Sequence, residues 1–142
     1  MSSDIQITVT CDEHGRSRAS SGSSWEPIIG YSRAIRVGSS ISVSGTLGTE
    51  ADGSLSSTPG EQTRRALAII VAAVEALGGT AADIVRTRIF ATDINQWEEI
   101  GRAHGTIFGA IRPATSMVEV SRLIIPEALV EIEADAILGT GQ

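Results

Sequence analysis

Arg112-Pro113-Ala114-Thr115-Ser116-Met117-Val118-Glu119-Val120-Ser121-Arg122-Leu123, followed eight residues on by Glu131-Ile132-Glu133-Ala134, is the stretch on which the fold turns. Pro113 stops any preceding helix, and the residues after it predict a strand over Thr115 to Leu123. A second strand is predicted over Val130 to Leu138, with the turn around Pro126 between the two. In Val130-Glu131-Ile132-Glu133-Ala134-Asp135-Ala136 apolar residues alternate with acids, so one face of that strand is apolar and the other carries three carboxylates. A strand with a polar second face either meets water or lines a cleft between subunits.

Working outward, strands give way to helices. Ile84 to Thr92 is rich in β-branched and aromatic residues and predicts a strand. Asn95, with Glu98 three residues on, predicts the cap of a helix with Trp97, Ile100, His104 and Phe108 on one face. Thr58-Pro59-Gly60-Glu61 has capping-box spacing, with proline at the first helical position. The helix it opens has an apolar stripe of Leu67, Ile70, Val71, Val74 and Leu77, and Gly78-Gly79 ends it. Earlier still, Arg33-Ala34-Ile35-Arg36-Val37 and Ile41-Ser42-Val43-Ser44 flank Gly38-Ser39-Ser40, the composition of a tight hairpin. The order β-β-α-β-α-β-β predicts an α+β layer with both helices on one face of the sheet. Residues 1–24 stand apart as a tail whose one alternating segment, Ile5 to Thr10, fits an edge strand or a disordered segment. Residues 25–142 read as a single domain.

Composition removes several classes of function. A length of 142 residues, 42% hydrophobic and 20% charged, suits one ordinary globular core. The net charge of −6 and the lack of any basic run beyond Arg64-Arg65 argue against nucleic acid as a partner. All 11 basic side chains are arginine, so no lysine is available for Schiff-base or pyridoxal phosphate chemistry. Cys11 is alone, which excludes an intrachain disulfide and makes a reducing cytoplasm the expectation. The longest apolar stretch, Ala66 to Ala73, is too short to span a membrane, and Cys11, His14 and His104 have no metal-site spacing. No metal and no membrane role are expected.

From Gly30 to Leu138 the chain resembles the Rid family, the YjgF-like reactive intermediate deaminases. The matching pieces are Gly30-Tyr31, Val43-Ser44-Gly45, Asp83-Ile84-Val85-Arg86-Thr87, Val118-Glu119-Val120 and Val130-Glu131-Ile132-Glu133. Each is short, but their joint order is specific. The resemblance implies a chorismate-mutase-like fold, a homotrimer, and clefts at the subunit interfaces. It also implies hydrolysis of reactive enamines and imines, such as 2-aminoacrylate, without a metal or organic cofactor.

The same resemblance assigns Glu131 the catalytic position, where a carboxylate in a partly dry cleft would have a raised pKa and handle the attacking water. The residue-level alternative is that Glu131, Glu133 and Asp135 simply solvate a strand face. Tyr31 matches a tyrosine at the cleft mouth, or is an aromatic that only packs at an interface. Ser44 and Gly45 match the strand end that approaches the ligand, glycine permitting close contact. Thr115 stands where most family members carry an arginine that grips the substrate carboxylate, a bidentate contact that a hydroxyl cannot reproduce. Met117, two residues on, would make that wall more apolar. Arg33, which shares a strand face with Tyr31, and Arg88 are the candidate replacements, the alternative for each being a surface ion pair.

The resulting expectation is a Rid-like deaminase with shifted substrate choice, binding a small molecule in an intersubunit cleft. A non-catalytic trimeric module that holds a metabolite or a partner is the alternative.

Overall fold

The computed structural model describes residues 4–139. Within them run β1 (Thr8–Cys11), β2 (Arg16–Ser20), β3 (Ala34–Val37), β4 (Ser40–Leu47), α1 (Pro59–Ala76), β5 (Ile84–Ala91), α2 (Trp97–Phe108), β6 (Ala114–Glu119) and β7 (Val130–Ile137). The strands form one mixed sheet in the order β1-β2-β3-β4-β7-β5-β6, in which β5 and β6 are the parallel pair. Central β7 shows why the alternation mattered. Val130, Ile132, Ala134 and Ala136 are fully buried against the helical layer, while Glu131, Glu133 and Asp135 are half-buried on the other face.

α1 begins as its sequence dictates. Thr58 Oγ1 accepts the Glu61 N–H at 3.3 Å and Pro59 occupies the first turn. The reciprocal half of the box is not made, because the Glu61 carboxylate pairs with Arg64 one turn on. Leu67, Ile70 and Val74 are wholly buried, and each contributes about 1.5–3 kcal/mol of burial. Val71, read as part of the stripe, is half-buried at its edge. The helix stops where Gly78 takes φ +98° and the Gly79 N–H donates to Val74 O at 2.9 Å, a Schellman ending.

Three expectations need correction. Asn95 does not cap α2: Asp93 caps a 3-10 turn before it, its carboxylate accepting the Asn95 N–H at 3.0 Å, and α2 follows at Trp97 with Gln96 as an N-cap that makes no side-chain bond. An acceptor two residues upstream captures the free amides first. β6 ends at Glu119 rather than Leu123, because its partner β5 ends at Ala91, opposite Glu119. Finally, β2 went unread. Arg16-Ser17-Arg18-Ala19-Ser20 has one apolar residue, yet Ala19 is completely buried and the strand pairs with β3. The segment read as an edge strand or a loose tail supplies β1, which hairpins onto β2, so the sheet gains two strands beyond β3.

Gln62 ties the layers together. Fully buried in α1, it donates from Nε2 to Ser56 O (2.7 Å) and Glu127 O (3.0 Å), and its Oε1 accepts the Leu129 N–H (2.8 Å). That satisfies a buried amide and fixes the segment leading into β7. Among the described residues no helix is long and apolar enough to cross a membrane.

Candidate functional site

Tyr31 is placed by a π-helical turn, Glu26–Gly30, whose Glu26 carbonyl accepts the Tyr31 N–H at 3.0 Å. The buried Glu26 carboxylate straps that turn to the end of β2, accepting from Ser21 N (3.2 Å) and Ser21 Oγ (2.8 Å). Gly30 leaves the turn at φ +89°, a conformation that favours glycine. The tyrosine lines a cavity of about 1020 Å³ whose wall also includes Arg65 and Ile69 of α1.

Glu131 lines the same cavity. It enters from β7 opposite Leu47, just beyond a shift of register in the β4–β7 pair between Val43 and Thr46. The irregularity brings Gly45 against the Glu131 side chain, where a β-carbon would lie 2.9 Å from Cδ. Burial pushes the Glu131 carboxyl above the ordinary glutamate range; the Arg33 charge opposes this and Glu133 adds to it. Such a group can take and return a proton closer to neutral pH than a free carboxylate. Ser44 is next to it, but its hydroxyl donates to Ser32 O at 2.6 Å, leaving lone pairs rather than a proton for a ligand.

Arg33 is the buried cation of the site, only 7% exposed. It lies under the Tyr31 ring at 5.4 Å from the centroid and donates from Nη1 to Gly45 O at 3.2 Å. Among the described residues its Nε is buried with no hydrogen-bond partner. Tyr31, Arg33, Ser44, Gly45 and Glu131 therefore converge on one cavity.

The other candidates lie elsewhere in the chain. Arg88 is on the same sheet face but is held by Glu133 and Asp135, each at 3.2 Å. Thr115 and Met117 are opposite Thr87 and Ile89 on β5, on the helix-facing side of edge strand β6. Thr115 Oγ1 is 2.8 Å from Thr87 Oγ1, which is itself 2.9 Å from His104 Nε2. Met117 packs against the core. Burial lowers the His104 pKa, so the ring is neutral and linked to Thr87. Sequence reading missed the wall supplied by residues 4–6 and 21–25, and also Arg65, which bonds Thr49 O (2.9 Å) and Asp4 (3.1 Å). The tract Ser20-Ser21-Gly22-Ser23-Ser24 has no pattern that betrays a wall. Among the described residues, no three His, Cys, Asp or Glu side chains gather as a metal site.

A mixed sheet backed by two helices, with a half-buried carboxylate, a buried guanidinium and a phenol lining one cavity, places the chain in the α+β class. The chain belongs to the YjgF/Rid family, whose model, described as Endoribonuclease L-PSP, matches residues 22–138. It is similar to Rv2704 from Mycobacterium tuberculosis, a member of the YjgF/YER057c/UK114 family, at 50% identity and a TM-score of 0.82, covering 87% of this chain and 100% of that one. It is 32% identical to the 2-iminobutanoate/2-iminopropanoate deaminase of Salmonella typhimurium over 75% of this chain and 86% of that protein. The structure of E. coli TdcF with bound serine is similar at 29% identity and a TM-score of 0.71, covering 75% of this chain and 87% of that one.

Proposed function

We propose that this protein is a Rid-type deaminase that hydrolyses a small reactive imine or enamine to a carbonyl compound and ammonia. One observation carries the reading: Glu131, half-buried with a raised pKa, shares a cavity with Tyr31, Ser44 and Gly45 in a chain similar to a 2-imino acid deaminase. Glu131 takes a proton from water as the oxygen attacks the C=N carbon, and the π electrons move to nitrogen. Return of that proton to nitrogen gives a carbinolamine; Glu131 then accepts the hydroxyl proton and passes it to the amino nitrogen as the C–N bond breaks, so that ammonia leaves and the carbonyl remains. Tyr31 binds the substrate through its phenol.

The active assembly in this reading is a homotrimer with clefts between subunits. Thr115, exposed on edge strand β6 and away from the cavity of its own chain, would reach a site from the neighbouring copy, with Met117 packed behind it. The carboxylates of Glu131, Glu133 and Asp135 along one sheet face, with a net charge of −6, favour a small substrate over a phosphate backbone.

The test is ammonia release from 2-iminobutanoate and 2-aminoacrylate generated in situ. Glu131→Gln should lower the rate by roughly 10²–10⁴-fold. An unchanged rate in that variant would sink the assignment. The observation favouring a non-catalytic module is that Thr115 spends its hydroxyl on Thr87 and Pro113 O. Under that reading, small ligands would raise the melting temperature without turnover.

A further inference from the structure

Among the described residues Arg33 is a buried guanidinium without a counterion. No carboxylate oxygen lies within ion-pair distance of it among the described residues, although the field of Arg33 is felt at Glu131. Among the described residues only Nη1 has a hydrogen-bond acceptor, the Gly45 carbonyl, and Nε is left buried and unpaired. A buried charge in this condition is costly, and an anion arriving beside it relieves that cost. The surroundings hold it there in advance: the Tyr31 ring on one side and the β4 irregularity at Gly45 on the other fix the guanidinium before any ligand enters.

We propose that Arg33 is the substrate-anchoring residue of this chain, binding the carboxylate of a small 2-imino or 2-enamino acid whose nitrogen end faces Glu131. The proposal rests on the deaminase reading for the nitrogen end alone. Arginine suits a planar carboxylate, to which it offers a bidentate, charge-assisted grip. The acids on the same cavity, Asp4, Glu50, Glu131 and Glu133, disfavour a doubly charged phosphate and favour a ligand whose far end is neutral or cationic. The arginine missing at Thr115 is thereby replaced from within the subunit that supplies Glu131.

The experiment uses the full chain and two probes, 2-oxobutanoate and its uncharged amide, with affinity read by calorimetry and folding by circular dichroism. Wild type should bind 2-oxobutanoate at least tenfold tighter than the amide. Arg33→Gln should erase that preference, and Arg33→Lys should weaken 2-oxobutanoate binding about tenfold. Arg33→Lys, which retains the charge and the stem, reports if the glutamine variant does not fold. The proposal is overturned if wild type binds neither probe or does not distinguish them, or if folded Arg33→Lys binds 2-oxobutanoate as wild type does. Arg33-dependent binding without any ammonia release would keep the anchor and sink the deaminase reading. Turnover with KM unchanged in Arg33→Gln would do the reverse.

Discussion

Gly45 and Glu131 sit so close across the β4–β7 pair that a β-carbon at position 45 would lie 2.9 Å from Glu131 Cδ and 3.0 Å from Oε2. Only glycine leaves that carboxyl where it is. The obstructing atoms are the far end of a flexible side chain, so Gly45→Ala should fold, with a stability change of about 1 kcal/mol or less, while the carboxyl swings away. Misplacing a catalytic group by about 1 Å costs roughly 10²-fold, which sets the upper end of the expected loss in rate. Steady-state kinetics paired with a thermal melt checks it, and unchanged kcat in the folded variant would show that the carboxyl position is immaterial.

Glu131 should also mark the stability curve. Its folded pKa is raised above the ordinary 4.5, so its contribution is fully present below that value and is lost as pH rises through the folded pKa. Glu131→Gln removes the buried charge and should melt higher than wild type at pH 7, by about 1–3 °C for a half-exposed group. The gap should close below pH 4.5. A variant that melts lower than wild type at neutral pH would show that the ionised carboxylate is stabilised by contacts instead.

Much of this arrangement was legible in the sequence. The acids of β7 and the capping residues of α1 each follow a period or a spacing, so the strand face bearing Glu131 and the start of α1 could be read directly. Arg33 could be placed on the face of Tyr31 by a count of two, but its burial could not. That depends on β2, whose five residues hold a single apolar side chain and whose pairing with β3 is a tertiary event. Thr115 is the opposite case. Within its own chain it pairs with Thr87 on β5, and its place in a cleft is a matter of assembly, which the residues of one chain do not spell out. The bulge at Gly45 has no sequence signal beyond the glycine.

The neutral His104 gives a second pH signature, of opposite sign. Burial lowers its pKa below the ordinary 6.5, so the stability it contributes is present above 6.5 and is lost as pH falls toward the folded value. Wild type should therefore lose stability below pH 6.5 faster than His104→Gln, whose amide stays uncharged and can still bond Thr87. Chemical denaturation at pH 7.5 and pH 5.5 measures the difference. Equal slopes would place the histidine in solvent.

Thr115→Arg tests whether the anchor has moved or merely been lost. The substitution gives up the Thr87 contact, but Thr87 keeps His104, so the expected cost is about 1 kcal/mol. Residue 115 is exposed on an edge strand, leaving room for a longer side chain. If Arg33 already holds the carboxylate, a second guanidinium adds little to wild type but should restore 2-aminoacrylate turnover to Arg33→Gln by tenfold or more, provided a neighbouring subunit brings position 115 to the cleft. A large gain in the wild-type background instead would mean that no cation grips the substrate now, and that Arg33 serves only to balance Glu131. No gain in either background would place position 115 outside the site altogether, leaving recognition to the cavity of a single chain.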